Sequence, residues 1–217
     1  MAGKRVNKAM NLTIIGASDM FARGLATWAV AAGHNVTIVG FNREQAEELV
    51  KKIGSARAAG PRDPLPDNVI FLAMPYSCVL DARDFYGKQL SGKIVVDVTT
   101  PMDLNTFEPI HPEAGSAADE IVKAGIGARV VKAFHPRFAG TFVRQQDSDQ
   151  ETSDVFVAGD DLEAKSVVMQ LFEQSGLRPI DVGHMSRARE VEAMGHLHAA
   201  KRRALEGGFA AGSCRAI

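Results

Sequence analysis

Short apolar runs alternate along this chain with longer stretches that carry apolar residues every three or four positions. The runs fall at 12–16, 36–40, 69–73, 94–98, 129–134, 154–158 and 178–182. Two of them, Val69-Ile-Phe-Leu-Ala73 and Ile94-Val-Val-Asp-Val98, are nearly continuous rather than alternating, as strands covered on both faces of a parallel sheet require. The stretches between them read as helices. The first buries Phe21, Leu25, Trp28, Ala29 and Ala32 on one face, and the second Ala46, Leu49, Val50 and Ile53. A later one, opened by Asp160 with Glu163 at capping-box spacing, buries Ala164, Val167, Val168, Leu171 and Phe172. The last, Ser186 to about Glu206, is an amphipathic helix with Val191, Met194 and Leu197 on one face.

Two stretches break the alternation. Gly54–Asp67 contains three prolines and no helical pattern, so a short strand there is followed by a loop instead of a crossover helix. Thr141–Thr152 is polar and reads as an exposed excursion. The whole predicts an α/β fold, a doubly wound and mostly parallel sheet with right-handed crossovers and a C-terminal amphipathic helix. No repeat or linker divides it, so a single domain is expected over 10–217 behind an extension at 1–9.

Net charge −1 and a pI near 6.6 offer no basic field for nucleic acid. No apolar run reaches the roughly 18 residues of a membrane span. The basic first residues lack an apolar h-region, so no signal peptide is expected. Cys78 and Cys214 have no metal or redox spacing, which fits a reduced, cytoplasmic setting.

Residues 12–24 read as a buried strand turning tightly into a helix, with Gly16 closing the turn. Such a turn aims backbone N–H groups at a pyrophosphate, although a glycine there serves any strand–helix junction. A regular G-x-G-x-x-G would place glycines at 18 and 21, where the chain has Ser18 and Phe21. Asp19 opposes a bound phosphate unless it turns outward to cap the helix or reaches a ribose hydroxyl; Arg23, one turn in, reads first as a solvated side chain and second as a partial offset to that charge.

After the second strand, Gly40-Phe41-Asn42-Arg43 lacks the acidic residue that would take the ribose hydroxyls of NAD. Arg43 favours the 2′-phosphate of NADP instead, with Phe41 against adenine. The same residues also read as a capping box, Asn42 with Gln45, in which Arg43 is an ordinary first-turn residue.

Three later strands end in proline: Ala73-Met74-Pro75, Thr99-Thr100-Pro101 and Ala133-Phe134-His135-Pro136. Each proline is consistent with a plain turn, yet together they open the carboxyl edge where a flat nicotinamide ring could settle. His135 stands where it could hydrogen-bond a substrate carbonyl, or be satisfied by backbone. His196 and His198 are two apart and do not share a helix face, and with His184 upstream no carboxylate completes a metal site. Cys78 reads as a packed, neutral thiol, and no nucleophile–base pair is apparent.

On these motifs the chain resembles the NADPH-dependent coenzyme F420 reductases and their wider group of dinucleotide-binding enzymes, from about Met10 to Glu206. The most specific matches are Val157–Asp161, Lys165–Met169, Gly176–Gly183 and Ser186–Glu190, together with Val131–His135 and Gly33-His34. The resemblance implies a Rossmann-type fold that binds NADP(H) with the nicotinamide at the carboxyl edge. Gly16 and Ala17 lead into Ser18, Asp19, Met20 and Phe21, which take the place of the family's phosphate turn. Phe41, Asn42 and Arg43 fall where its 2′-phosphate is read. Met74, Cys78, Thr100 and His135 fall along the cofactor groove, beside the rim residues Ala73, Pro75, Ala133 and Phe134. In that family a hydride passes between nicotinamide and deazaflavin, and the protein supplies orientation rather than an acid–base group.

The expectation is therefore a cytoplasmic, homodimeric oxidoreductase that passes a hydride between NADP(H) and a small-molecule ring acceptor, coenzyme F420 or a flavin (FMN or FAD). The alternatives are a ferric or quinone reductase, since a related domain serves membrane ferric reductases, and a dinucleotide-binding protein that senses NADPH without turnover.

Overall fold

A computed structural model describes residues 9–17, 22–134 and 154–206. Eight strands form one sheet: β1 (Asn11–Ile15), β2 (Asn35–Val39), β3 (Ala56–Ala59), β4 (Val69–Leu72), β5 (Ile94–Asp97), β6 (Arg129–Phe134), β7 (Asp154–Ala158) and β8 (Arg178–Gly183). Their order is β3-β2-β1-β4-β5-β6-β7-β8. The first six run parallel; β7 turns back antiparallel to β6, and β8 runs parallel to β7. Chain order reverses between β1 and β4, which makes the crevice above that pair the switch point where open α/β sheets bind ligands. This is the expected doubly wound, Rossmann-like arrangement.

The strand sequences explain the layering. All four residues of β4 and all four of β5 are buried, because helices cover both faces. Helices α1 (Ala22–Ala31), α2 (Arg43–Ile53) and α5 (Leu162–Gln174) pack on one side, where Trp28 and Phe172 lie 5.3 Å apart and Phe71 meets Phe172 edge-on. The other face is covered by α3 (Tyr76–Leu90), α4 (Ala117–Lys123) and α6 (Ala188–Glu206).

The crossing from β3 to β4 has no helix, as the prolines at 61, 64 and 66 require. That loop is pinned from below instead: the Lys93 ammonium donates to the carbonyls of Leu65 and Asp67, and the Leu65 N–H donates to Gln89 Oε1 (2.9 Å). The pinned loop presents Asp63 at the carboxyl end of β3.

Three expectations change. The cap of α5 is Asp161, whose carboxylate accepts the Ala164 N–H at 2.9 Å; Asp160 accepts the Met185 N–H at 3.0 Å. The chain from 185 to 187 forms a 3₁₀ turn before α6. On α6, Val191 is buried but Met194 and Leu197 are exposed, and the face turned to the sheet carries Ala188, Val191, Glu192, Gly195 and Ala199. The helix follows these small residues because a buried carboxylate and a close backbone approach decide its rotation. A short helix, α4, capped by Ser116, was not anticipated from the hydrophobic pattern. Thr141–Thr152, and 1–9 apart from Ala9, lie outside the described residues. Among the described residues no helix is long and apolar enough to cross a membrane.

Candidate functional site

β1 ends at a glycine for a reason the backbone makes plain. Gly16 sits at φ 121°, and a Cβ there would lie 2.2 Å from the Ala73 carbonyl oxygen. Its N–H donates to the Val39 carbonyl (2.9 Å), and the Ala73 N–H donates to the Ile15 carbonyl (3.0 Å). The ends of β1, β2 and β4 are thus drawn together at the switch point, and only a residue without a side chain fits among them. Ala17 is half-buried beside it. The next four expected contacts, Ser18, Asp19, Met20 and Phe21, lie outside the described residues, as does His135.

The end of β2 forms the helix cap that its sequence offers. Asn42 caps α2 by accepting the Gln45 N–H at 2.9 Å. Arg43 then projects from the first turn, and its Nη2 meets Asp63 Oδ2 at 2.5 Å. Asp63 also accepts the Gly60 N–H (2.9 Å), so the carboxylate is fixed to the end of β3. The pair is open to solvent, with Arg43 half exposed. Phe41 is half-buried alongside. Asp63 escaped the sequence reading because it comes from a different strand end, twenty residues away.

The rim over β4, β5 and β6 is built differently. Ala73, Met74, Pro75, Cys78, Ala133 and Phe134 are all buried and form a floor, in which Cys78 is disulfide-bonded and not the neutral thiol expected, whereas Thr100 is half-buried at the surface of the turn after β5. At the start of α3, Tyr76 donates to Glu120 Oε2 (2.7 Å), and burial followed by that carboxylate pushes its phenol well above the ordinary range.

Beneath this rim lies a buried ionic group that the motif search did not assemble. Lys132 Nζ reaches Asp97 Oδ2 at 2.7 Å, Glu192 Oε1 at 3.0 Å and the Thr99 carbonyl at 2.5 Å. All three side chains are essentially inaccessible. Asp97 Oδ1 accepts the Thr99 N–H (2.9 Å), and Glu192 accepts the Ala117 N–H at the head of α4 (3.0 Å). Burial alone would lower the Lys132 ammonium, but Asp97 and Glu192 outweigh it and hold it above its usual value. Burial raises Glu192, partly offset by Lys132. The signal in the sequence was a charge set among apolar neighbours on both sides, Asp97 in the run of β5 and Lys132 within Val130–Phe134 of β6. A charge buried on both faces needs a partner.

Helix α6 closes the same corner. Its Gly195 leaves no room for a Cβ, which would stand 2.3 Å from Thr100 Oγ1. Next to it, His196 Nε2–H donates to the Pro101 carbonyl at 2.8 Å, and burial lowers its imidazole below the ordinary histidine value. Among the described residues, the buried Thr99 hydroxyl has no hydrogen-bond partner.

Residues 11–101 match the family model described as NADP oxidoreductase, coenzyme F420-dependent. Metalloreductase STEAP3 of Rattus norvegicus is 31% identical over 190 residues, a stretch that covers 86% of this chain and 36% of the metalloreductase. The F420-dependent NADP reductase of Methanocaldococcus jannaschii is 28% identical over 204 residues, covering 85% of this chain and 89% of the reductase. The chain thus spans about a third of the first relative and nearly all of the second. A crystal structure from Arthrobacter sp. FB24, described as an F420-dependent NADP-reductase, superposes with a TM-score of 0.75 at 21% identity, over 92% of this chain and 96% of that one. That likeness bears on the fold, which is the same. The family match across the switch point, and relatives that run most of the chain, make this protein similar to the F420-dependent NADP oxidoreductases.

Proposed function

We propose that this chain is an NADPH-dependent oxidoreductase that passes a hydride between NADP(H) and a flat ring acceptor, coenzyme F420 or a flavin. The observation that carries the reading is Arg43. It stands at the carboxyl end of β2 with a half-exposed guanidinium, beside a switch point drawn tight around Gly16. A planar guanidinium matches a phosphate ester in charge and geometry. The residues that would hold the coenzyme are the Gly16-Ala17 turn running into Ser18, Asp19, Met20 and Phe21 for the pyrophosphate, and Phe41, Asn42 and Arg43 for the adenosine 2′-phosphate. Thr100 would face the nicotinamide over the floor of Ala73, Met74, Pro75, Cys78, Ala133 and Phe134, with His135 toward the acceptor. The coenzyme supplies the hydride; the chain supplies orientation and a water-poor surface.

A second acceptor class has its own support in the metalloreductase relatives. Ferric iron takes one electron and a hydride carries two, so a flavin would have to divide the pair. Pairing of two copies through α6, whose Met194 and Leu197 are exposed, and a cytoplasmic setting belong to the same reading.

Stopped-flow mixing of the protein with NADPH and either coenzyme F420 or FMN tests it. Rapid loss of nicotinamide absorbance is expected. Tight binding of NADPH with no loss against either ring acceptor or a ferric chelate would leave a sensor, and no binding would remove the reading altogether.

A further inference from the structure

Each residue of the turn after β5 is gripped by a different group. The Thr99 backbone is held on both sides by one ion pair: its N–H, in the peptide unit shared with Val98, donates to Asp97 Oδ1 (2.9 Å), and its carbonyl, in the unit shared with Thr100, accepts from Lys132 Nζ (2.5 Å). Thr100 packs against the bare Cα of Gly195, and the Pro101 carbonyl accepts from His196 (2.8 Å). All three N–H donors of Lys132 are committed, to Asp97, Glu192 and the Thr99 carbonyl. Stability is a poor reason for such a group, since buried ion pairs replaced by packed apolar side chains often leave a protein as stable or more so. What charges do here, and aliphatic groups cannot, is fix the directions of the two successive peptide units that flank the Thr99 Cα.

We propose that Lys132 is a positioning residue for hydride transfer: anchored by Asp97 and Glu192, it clamps the Thr99–Pro101 turn so that the nicotinamide ring meets one fixed surface. This rests on the coenzyme reading given above. Lys132 gives up no proton in the step. The hydride leaves the reduced nicotinamide with its electron pair, the acceptor ring gains both, NADP⁺ remains, and the reduced acceptor takes its proton from solvent. The role of the clamp is geometric, because displacing a reacting group by 1 Å can slow reaction by about 100-fold.

The test compares wild type with Lys132→Met and Gly195→Ala. The second variant disturbs the same turn without touching a charge, and carries the test if the first does not fold. NADPH affinity is measured by calorimetry, single-turnover hydride transfer to FMN or coenzyme F420 by stopped flow, and exchange of the Thr99 amide by hydrogen–deuterium NMR. Affinity should stay within about threefold while transfer slows at least about tenfold, as lost alignment implies. In Lys132→Met the Thr99 amide should exchange faster than the change in global stability accounts for. Transfer within about twofold of wild type in a folded variant, or a loss confined to affinity, overturns the proposal. If wild type does not bind NADPH, the coenzyme reading falls separately; unchanged Thr99 exchange then overturns the clamp itself.

Discussion

At the β2–β3 end of the rim, Arg43 and Asp63 meet in the open, and each belongs to a local motif, a helix cap on one side and a tight loop on the other. At the β5–β6 end, Lys132, Asp97 and Glu192 meet in the dark, drawn from two strands and a helix that are 35 and 60 or more residues apart. The first arrangement is adjustable: water stands ready to replace either partner, and an anion can displace Asp63 from Arg43 with little penalty. The second is not, since any group removed leaves a charge in low dielectric. On the proposed reading, one end of the rim captures a charged handle and the other holds a reacting ring still.

The largest expected effect breaks the rigid end. Lys132→Met leaves two carboxylates without their cation and should destabilise the fold by about 3–5 kcal/mol in urea unfolding. A loss below about 1 kcal/mol would mean that water already reaches the group, and the contrast between the two ends would fail.

A smaller effect sharpens the adjustable end. Arg43→Ala should weaken NADPH by about tenfold or more, the value of a charge-assisted hydrogen bond, and leave NADH nearly unchanged. Asp63→Asn should act the other way and tighten NADPH by up to about fivefold, because an exposed ion pair contributes at most about 1 kcal/mol. Equal effects on both coenzymes, read by calorimetry, would show that Arg43 does not read the 2′-phosphate.

The smallest effect concerns pH. His34 is lowered by burial; its Nδ1 accepts the Met10 N–H (3.2 Å) and its Nε2–H faces Ser175 Oγ (3.3 Å), so a second proton would confront a donor. His196 is lowered as well, burial being the main cause. With folded values below the ordinary 6.5, the unfolded chain binds protons first. Stability is therefore full above 6.5 and declines as pH falls through the range down to the folded values. The urea midpoint should be lower at pH 5.5 than at pH 7.5, and His34→Gln should flatten part of that slope. A level profile in wild type would mean that both imidazoles are better hydrated than their burial implies.

Much of the scaffold was legible residue by residue. The runs at 69–73 and 94–98 contain β4 and β5 because a strand covered on both faces has nowhere to place polar groups. Asn42 with Gln45 caps α2 as its spacing required. The helix over 117–123 was not legible: seven residues carry too little periodicity, and its head is tied down by Glu192 from far along the chain. Nor was the rotation of α6, where apolar Met194 and Leu197 point outward and charged Glu192 points in.

Local pattern thus determined the strands, most of the helices and the turn that closes on Gly16, since periodicity, caps and backbone sterics act over a few residues. Only the tertiary structure decided what each charge near the rim meets. Asp63 opposite Arg43, and Glu192 with Asp97 around Lys132, are pairings made by the sheet's winding. Coulomb attraction in a dry interior depends on separation in space, which the sequence encodes only through the whole fold.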